Sequence, residues 1–159
     1  MPIEISSAGV LGGGVMGAGI GQALASGGLK VTIRDISGEL NKAVSEARRP
    51  RFIGMHWFSP APIMKLVELV QAPETAEETV QALESVCQRI GKVSVRVKDA
   101  PGRYGFIANR IYFAAVREAQ AVLAEGIASA EDINKAMVYG FNWPVGPLAM
   151  VEGARKGWQ

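Results

Sequence analysis

Histidine and cysteine are almost missing: the 159 residues contain one of each, His56 and Cys87. A single thiol cannot close an internal disulfide, and so few soft ligands leave no Cys/His cluster for a metal. A reducing compartment, the cytoplasm by default, is expected, with no metal site. Long apolar runs are missing too. No stretch reaches the roughly 18 residues of a membrane span, and Met1-Pro2-Ile3-Glu4-Ile5 has no basic region leading into an apolar one, so neither secretion nor membrane insertion is expected. Nor does one sign of charge dominate: 17 basic against 15 acidic side chains give a net charge of +2. A nucleic-acid binder usually shows a basic stripe, and none is expected here. The one dense basic run, Arg48, Arg49 and Arg51 around Pro50, could meet a ligand phosphate, although short charge runs are more often solvated linkers.

What is abundant is glycine, 19 residues, within a chain that is 48% hydrophobic. That suffices for one core, or a modest core with an appendage. The glycines cluster where the chain reads Ala8-Gly9-Val10-Leu11, then Gly12-Gly13-Gly14-Val15-Met16-Gly17, then a helix-compatible Ala18 to Ser26, then Lys30-Val31-Thr32-Ile33-Arg34-Asp35. This is strand, glycine turn, helix, strand, with Gly27-Gly28 closing the helix. Gly12, Gly14 and Gly17 match Gly-x-Gly-x-x-Gly, in which the glycines allow a tight turn, backbone approach to a pyrophosphate, and close packing of helix on strand. The amides of Val15, Met16 and Gly17 open the helix and face the anion. Asp35, 21 positions past Gly14, stands where a carboxylate accepts from the ribose hydroxyls of NAD and repels the extra phosphate of NADP. NAD is the expected cofactor. Arg34 could turn toward a 2′-phosphate, but a strand neighbour normally points to the opposite face.

Further on, Ser37 to Arg49 suits a short amphipathic helix, Phe52 to Phe58 a strand, Ser59-Pro60-Ala61-Pro62 a rigid turn, and Met64 to Val70 another strand. Thr75 is expected to cap a helix with Val80, Leu83, Val86, Cys87 and Ile90 on its apolar face, closed by Gly91. Cys87 therefore reads as a core thiol. Val93, Val95 and Val97 alternate with polar residues as a strand, and the strands 8–11, 30–35, 52–58, 65–70 and 93–97 are expected in one sheet. At Asp99-Ala100-Pro101-Gly102 the character turns helical, which divides the chain into 1–98 and 99–159. The second part holds an apolar helix from Ile107 to Glu125, a helix started by Ser129-Ala130-Glu131-Asp132 with Gly140 beyond its end, and one more helix from Leu148. The apolar helix is broad enough to pack on a partner subunit.

His56 lies in Gly54-Met55-His56-Trp57-Phe58-Ser59-Pro60, and the carboxylate of Glu68 follows twelve positions on. Histidine can both take and give a proton near neutral pH, and a neighbouring carboxylate fixes its tautomer and stabilises its cation. A lone histidine beside aromatics is also a common structural residue, so the pair alone does not decide between the two.

Five segments taken together resemble the 3-hydroxyacyl-CoA dehydrogenase family, including its 3-hydroxybutyryl-CoA members. They are Gly9 to Ile20, Gly54 to Glu68, Asp99-Ala100-Pro101-Gly102, Ile107-Ala108-Asn109-Arg110 and Trp143-Pro144-Val145-Gly146-Pro147. The resemblance implies NAD-dependent oxidation of a (3S)-3-hydroxyacyl-CoA thioester to the 3-oxoacyl-CoA, in fatty acid β-oxidation or short-chain acyl-CoA metabolism. It implies His56 as the base, Glu68 as its carboxylate, and Asn109 as an amide near the substrate oxygen. Asn109 also has an ordinary reading as a locally bonded helix residue. A homodimer formed through the helical part is implied as well.

The chain departs from that pattern in its middle. Only the sixteen residues Ile36 to Arg51 separate Asp35 from the strand carrying His56. The family has several strands and helices there, including those for the nicotinamide half of the site and a serine at the substrate oxygen. Ser59 replaces the family's usual asparagine, Arg103-Tyr104-Gly105 lengthens the segment before Asn109, and the family continues past Trp-Pro-Val-Gly-Pro through further helices. The expected fold is therefore α/β: a Rossmann-type dinucleotide-binding sheet with central strands missing, followed by a small partial all-α domain. Three functions fit: an active dehydrogenase, a dinucleotide-binding remnant, and a helical association module.

Overall fold

The computed structural model describes residues 3–11, 14–34, 50–99 and 106–156. The chain forms two compact units, Met1–Pro101 and Gly102–Gln159.

The first unit opens with strand β1 (Ser7–Leu11), helix α1 (Val15–Ser26) and strand β2 (Lys30–Arg34). β1 and β2 pair in parallel, from Ser7 opposite Lys30 to Leu11 opposite Arg34. Parallel neighbours need a crossover, and α1 supplies it. The helix buries Gly19, Gly21, Ala23 and Leu24, the first three of them small residues that bring its axis close to the sheet. A methyl group at Gly21 would come within 2.7 Å of Ile33 Cδ1. Gly28, at φ 79°, adopts the left-handed conformation that ends the helix, and Leu29 N–H donates back to Leu24 O.

A second sheet holds β3 (Gly54–Trp57), β4 (Leu66–Gln71) and β5 (Val93–Lys98), with helix α2 (Glu77–Arg89) crossing between β4 and β5. β3 is antiparallel to β4, and β4 is parallel to β5. Alternation assigns the two faces. Val67 and Leu69, with Met55 and Trp57 opposite them, pack with Cys87 and Leu83 of α2. His56, Glu68 and Val70 occupy the other face. Leu69 is fully buried, so Leu69→Ala is expected to lower stability by about 2–5 kcal/mol in chemical denaturation, through lost burial and a residual cavity.

The expectation of one continuous sheet is not met: among the described residues no ladder joins β1–β2 to β3–β4–β5. Side chains join them instead. Val86 belongs to the same buried cluster as Val10, Leu24 and Leu29, with Trp57 and Ile90 against it. The seam is incompletely filled, leaving a cavity of about 310 Å³ whose lining includes Gly9 and Val10 on one side and Met55 and Trp57 on the other. Strand pairing needs a neighbour at hydrogen-bonding distance, and among the described residues no strand lies between the two sheets.

Two helix ends also differ from expectation. α2 is capped at Ala76, not by Thr75; the Thr75 hydroxyl accepts from Ala72 N–H and donates to Phe52 O, tying the loop to the segment before β3. In the second unit α4 runs through Gly140 to Phe141, and Asn142, left-handed at φ 56°, ends it. Asparagine tolerates that conformation, and Trp143 N–H donates to Met137 O. The helix expected over Ser37 to Arg49 lies outside the described residues.

The second unit comprises α3 (Ala108–Ala124), α4 (Ala130–Phe141) and α5 (Pro147–Lys156). Ser129 caps α4 as its sequence indicates, accepting from Asp132 N–H. Asn134 Oδ1 accepts from Leu148 and Ala149 N–H, satisfying the start of α5 from a neighbouring helix. Val116, Ala119 and Ile133 are buried, whereas Ile111, Phe113, Leu123 and Phe141 remain exposed. An apolar groove of about 370 Å³ runs along Ala119, Val122, Ala136 and Met137.

Candidate functional site

The antiparallel register of β3 and β4 places His56 directly opposite Glu68. Cross-strand partners have their side chains on the same face, so the two groups meet without any distortion of the backbone. His56 Nδ1 lies 2.7 Å from Glu68 Oε2, with the imidazole 28% exposed and the carboxylate fully buried. A carboxylate can only accept, so Nδ1 carries the proton and Nε2 keeps the basic lone pair. The buried carboxylate is stabilised by the imidazole, which it orients in turn. The Phe58 ring packs against the imidazole at 4.8 Å between centroids.

A second feature lies at the start of α1. Gly14 is extended at φ −63°, ψ −177°, and its carbonyl accepts from Ala18 N–H at 2.8 Å. Among the described residues no side chain caps this helix end, and no acidic residue stands in its first turn. The opening N–H groups of a helix have no acceptors within it, so the amides at Val15, Met16 and Gly17, together with the helix dipole, favour an anion. Gly14 needs no side-chain freedom for its backbone angles, and a Cβ built there would meet no atom within 4 Å. That space suits close approach of a phosphate. Gly14→Val is thus expected to fold normally, shown by an unchanged circular dichroism melt, while weakening NADH binding at least about tenfold in a fluorescence titration.

Gly12 and Asp35 lie outside the described residues. Asn109 is the second residue of α3 and belongs to the second unit, whereas His56 and Glu68 belong to the first. Among the described residues there is no cluster of three or more His, Cys, Asp or Glu that could hold a metal. Also among them, no helix is long and apolar enough to cross a membrane.

The Cys87 thiol is pushed up to about 11, first by burial and then by the nearby charge of Glu84. It should remain unmodified by an aromatic disulfide reagent at about pH 8 in the folded chain and react at once in denaturant, because the thiolate is the reactive form. Fast labelling of the native chain would contradict this.

Sequence reasoning passed over two contributors. Gly19 lets α1 approach the turn after β3, where a methyl group would lie 2.8 Å from Pro62 Cδ. Lys92, between a helix-ending glycine and an apolar strand, is only 7% exposed, an unusual position for a lysine.

Comparison with known proteins shows the family. Residues 7–49 and 38–100 match the 3-hydroxyacyl-CoA dehydrogenase NAD binding domain in two overlapping stretches, and residues 105–155 match the C-terminal domain of 3-hydroxyacyl-CoA dehydrogenase. The chain belongs to the 3-hydroxyacyl-CoA dehydrogenase family. NAD is accordingly the cofactor of its first unit, and the open, uncapped start of α1 fits the phosphates of that molecule. Mouse mitochondrial hydroxyacyl-coenzyme A dehydrogenase and the 3-hydroxybutyryl-CoA dehydrogenase of Clostridioides difficile are each 40% identical to it over 112 residues. Those residues are 70% of this chain but 35% and 39% of the two relatives, so the chain spans little more than a third of their length. The crystal structure of (S)-3-hydroxybutyryl-CoA dehydrogenase from Ralstonia eutropha superposes with a TM-score of 0.80 at 29% identity, covering 92% of this chain and 81% of that one. The fold is thus Rossmann-type α/β, in a shortened form.

Proposed function

We propose that this chain interconverts (3S)-3-hydroxyacyl-CoA and 3-oxoacyl-CoA thioesters with NAD. The observation that carries this reading is the 2.7 Å contact between His56 Nδ1 and the fully buried Glu68 carboxylate. His56 Nε2 takes the proton of the 3-hydroxyl as C3 is oxidised and returns it in the reverse direction. Glu68 keeps the proton on Nδ1 and stabilises the imidazolium that forms. Asn109 would donate from its side-chain amide to the substrate oxygen, where negative charge develops. When bound, NAD supplies the two-electron acceptor. Gly12, Gly14, Val15, Met16 and Gly17 would hold its pyrophosphate, and Asp35 its adenosine ribose, which favours NAD over NADP.

Residues 1–98 would then form the NAD-binding part and 99–159 the helical part, which joins two copies through exposed apolar residues such as Ile111, Phe113 and Leu123. A lone, buried cysteine is compatible with a reducing compartment, and we place the protein in the cytoplasm, acting in fatty acid β-oxidation or short-chain acyl-CoA metabolism.

A second reading, an NAD-binding remnant without turnover, is favoured by the unfilled seam between β1 and β3. The forward reaction separates the two. Purified chain given NAD and (3S)-3-hydroxybutyryl-CoA should form NADH, and the (3R) isomer should give none. Saturable NADH binding with no NADH formed from either isomer would select the second reading.

A further inference from the structure

We propose that Lys92 is a positioning residue, which sets the register that brings His56 opposite Glu68. The connection between β3 and β4, Phe58 to Lys65, is eight residues long. A two-residue hairpin fixes strand register through its turn type, but a connection of this length does not. Register nevertheless decides everything for the pair, because a slip of one residue would carry Glu68 to the opposite face of the sheet. Something outside the hairpin must hold it.

The Lys92 ammonium is placed to do so. Its Nζ donates to Ala61 O at 2.6 Å, Met64 O at 2.7 Å and Pro62 O at 3.3 Å. An ammonium has three donors, and the three carbonyls of one turn account for all of them. Nζ also lies 5.9 Å from the ring centroid of Trp57, the residue after His56, on the favourable face for a cation. The backbone of Lys92 is itself fixed, with its N–H donating to Cys87 O at the end of α2, and Val93 N–H donating to Lys65 O. Within the turn, Ile63 and Met64 N–H both donate to Pro60 O. The ammonium therefore ties the fixed entry of β5 to the middle of the connection, at Ala61 and Pro62, and to Met64 next to Lys65, while it stands over the ring of Trp57 at the end of β3. A lysine is seldom this buried, and solubility gives no reason for it here.

The proposal rests on the reading of His56 and Glu68 as the proton-transfer pair, but it can be tested without turnover. His56 is the only histidine, so the imidazole region of a 15N spectrum holds one pair of ring signals. At a pH where the imidazole is neutral, the wild type should show the Nδ1-H tautomer. In Lys92→Met that signature should give way to the Nε2-H form preferred by an unrestrained imidazole, and amide exchange at Ile63 and Met64 should rise at least about tenfold. Arg89→Leu is the control for general destabilisation, since Arg89 donates to Ile5 O and Gly27 O, away from the turn. It should lower the melting temperature and leave the imidazole signals unchanged. A wild-type tautomer in folded Lys92→Met would overturn the proposal, whether or not the chain turns over substrate. If turnover is absent while these spectra behave as expected, the functional reading fails and the role of Lys92 stands. Should Lys92→Met not fold, the wild type carries the test: the Lys92 ammonium hydrogens and the His56 Nδ1-H should open to solvent together on warming. Protection of the two that differs by more than about tenfold would overturn the proposal.

Discussion

Replacing His56 with glutamine is expected to lower kcat for acetoacetyl-CoA reduction by about a hundred- to ten-thousand-fold, the range a positioned general acid or base contributes. Glutamine is close in size, and its amide can still donate to Glu68, so the buried carboxylate keeps a partner. The fold should persist. What disappears is a nitrogen able to hold and release a proton. NADH affinity should be unchanged, because the start of α1, which follows β1, makes no use of the imidazole. The measurement is a steady-state comparison of wild type and His56→Gln, accompanied by an NADH titration of both. A variant that retains more than about a tenth of wild-type kcat would remove His56 from the chemistry.

Glu68→Gln separates charge from shape. The amide fits the space of the carboxylate and can bond to the ring, but it can do so as a donor as well as an acceptor. With a donor facing Nδ1, the ring is driven toward the Nε2-H tautomer, and the nitrogen that should accept the substrate proton is already protonated. The imidazolium also loses its counter-charge. A fall in kcat of about a hundredfold or more is expected, with KM changed little, since both effects act on proton transfer and not on substrate binding. Glu68→Ala is the less informative substitution, because it also opens a cavity beside a fully buried position. A Glu68→Gln enzyme with wild-type kcat would reduce the carboxylate to a structural role.

Much of this arrangement was legible in the residues, for local reasons. The strand, helix and strand of β1, α1 and β2 follow from signals a few residues apart, as does the cap at Ser129. His56 and Glu68 were also legible as a pair, although their contact is made between two strands. Most of the missing parts depend on neighbours distant in sequence. Thr75 resembles a helix cap, but Phe52 O competes for its hydroxyl from 23 positions away. Gly140 resembles a helix stop, yet the helix continues to Asn142, where asparagine takes the left-handed angle. The break between the sheets is a failure of pairing, and strand propensity has no means of expressing it. Lys92 gives no local signal because its three acceptors are carbonyls, which every residue possesses.

The central claim is that the shortened chain still brings nicotinamide and substrate to His56. The most direct measurement is a single turnover, with protein in excess over NADH, started by adding acetoacetyl-CoA and followed by NADH absorbance. The expected result is loss of all the bound NADH, dependent on acetoacetyl-CoA and absent in His56→Gln. Saturable NADH binding with no loss of absorbance in the wild type would contradict the claim.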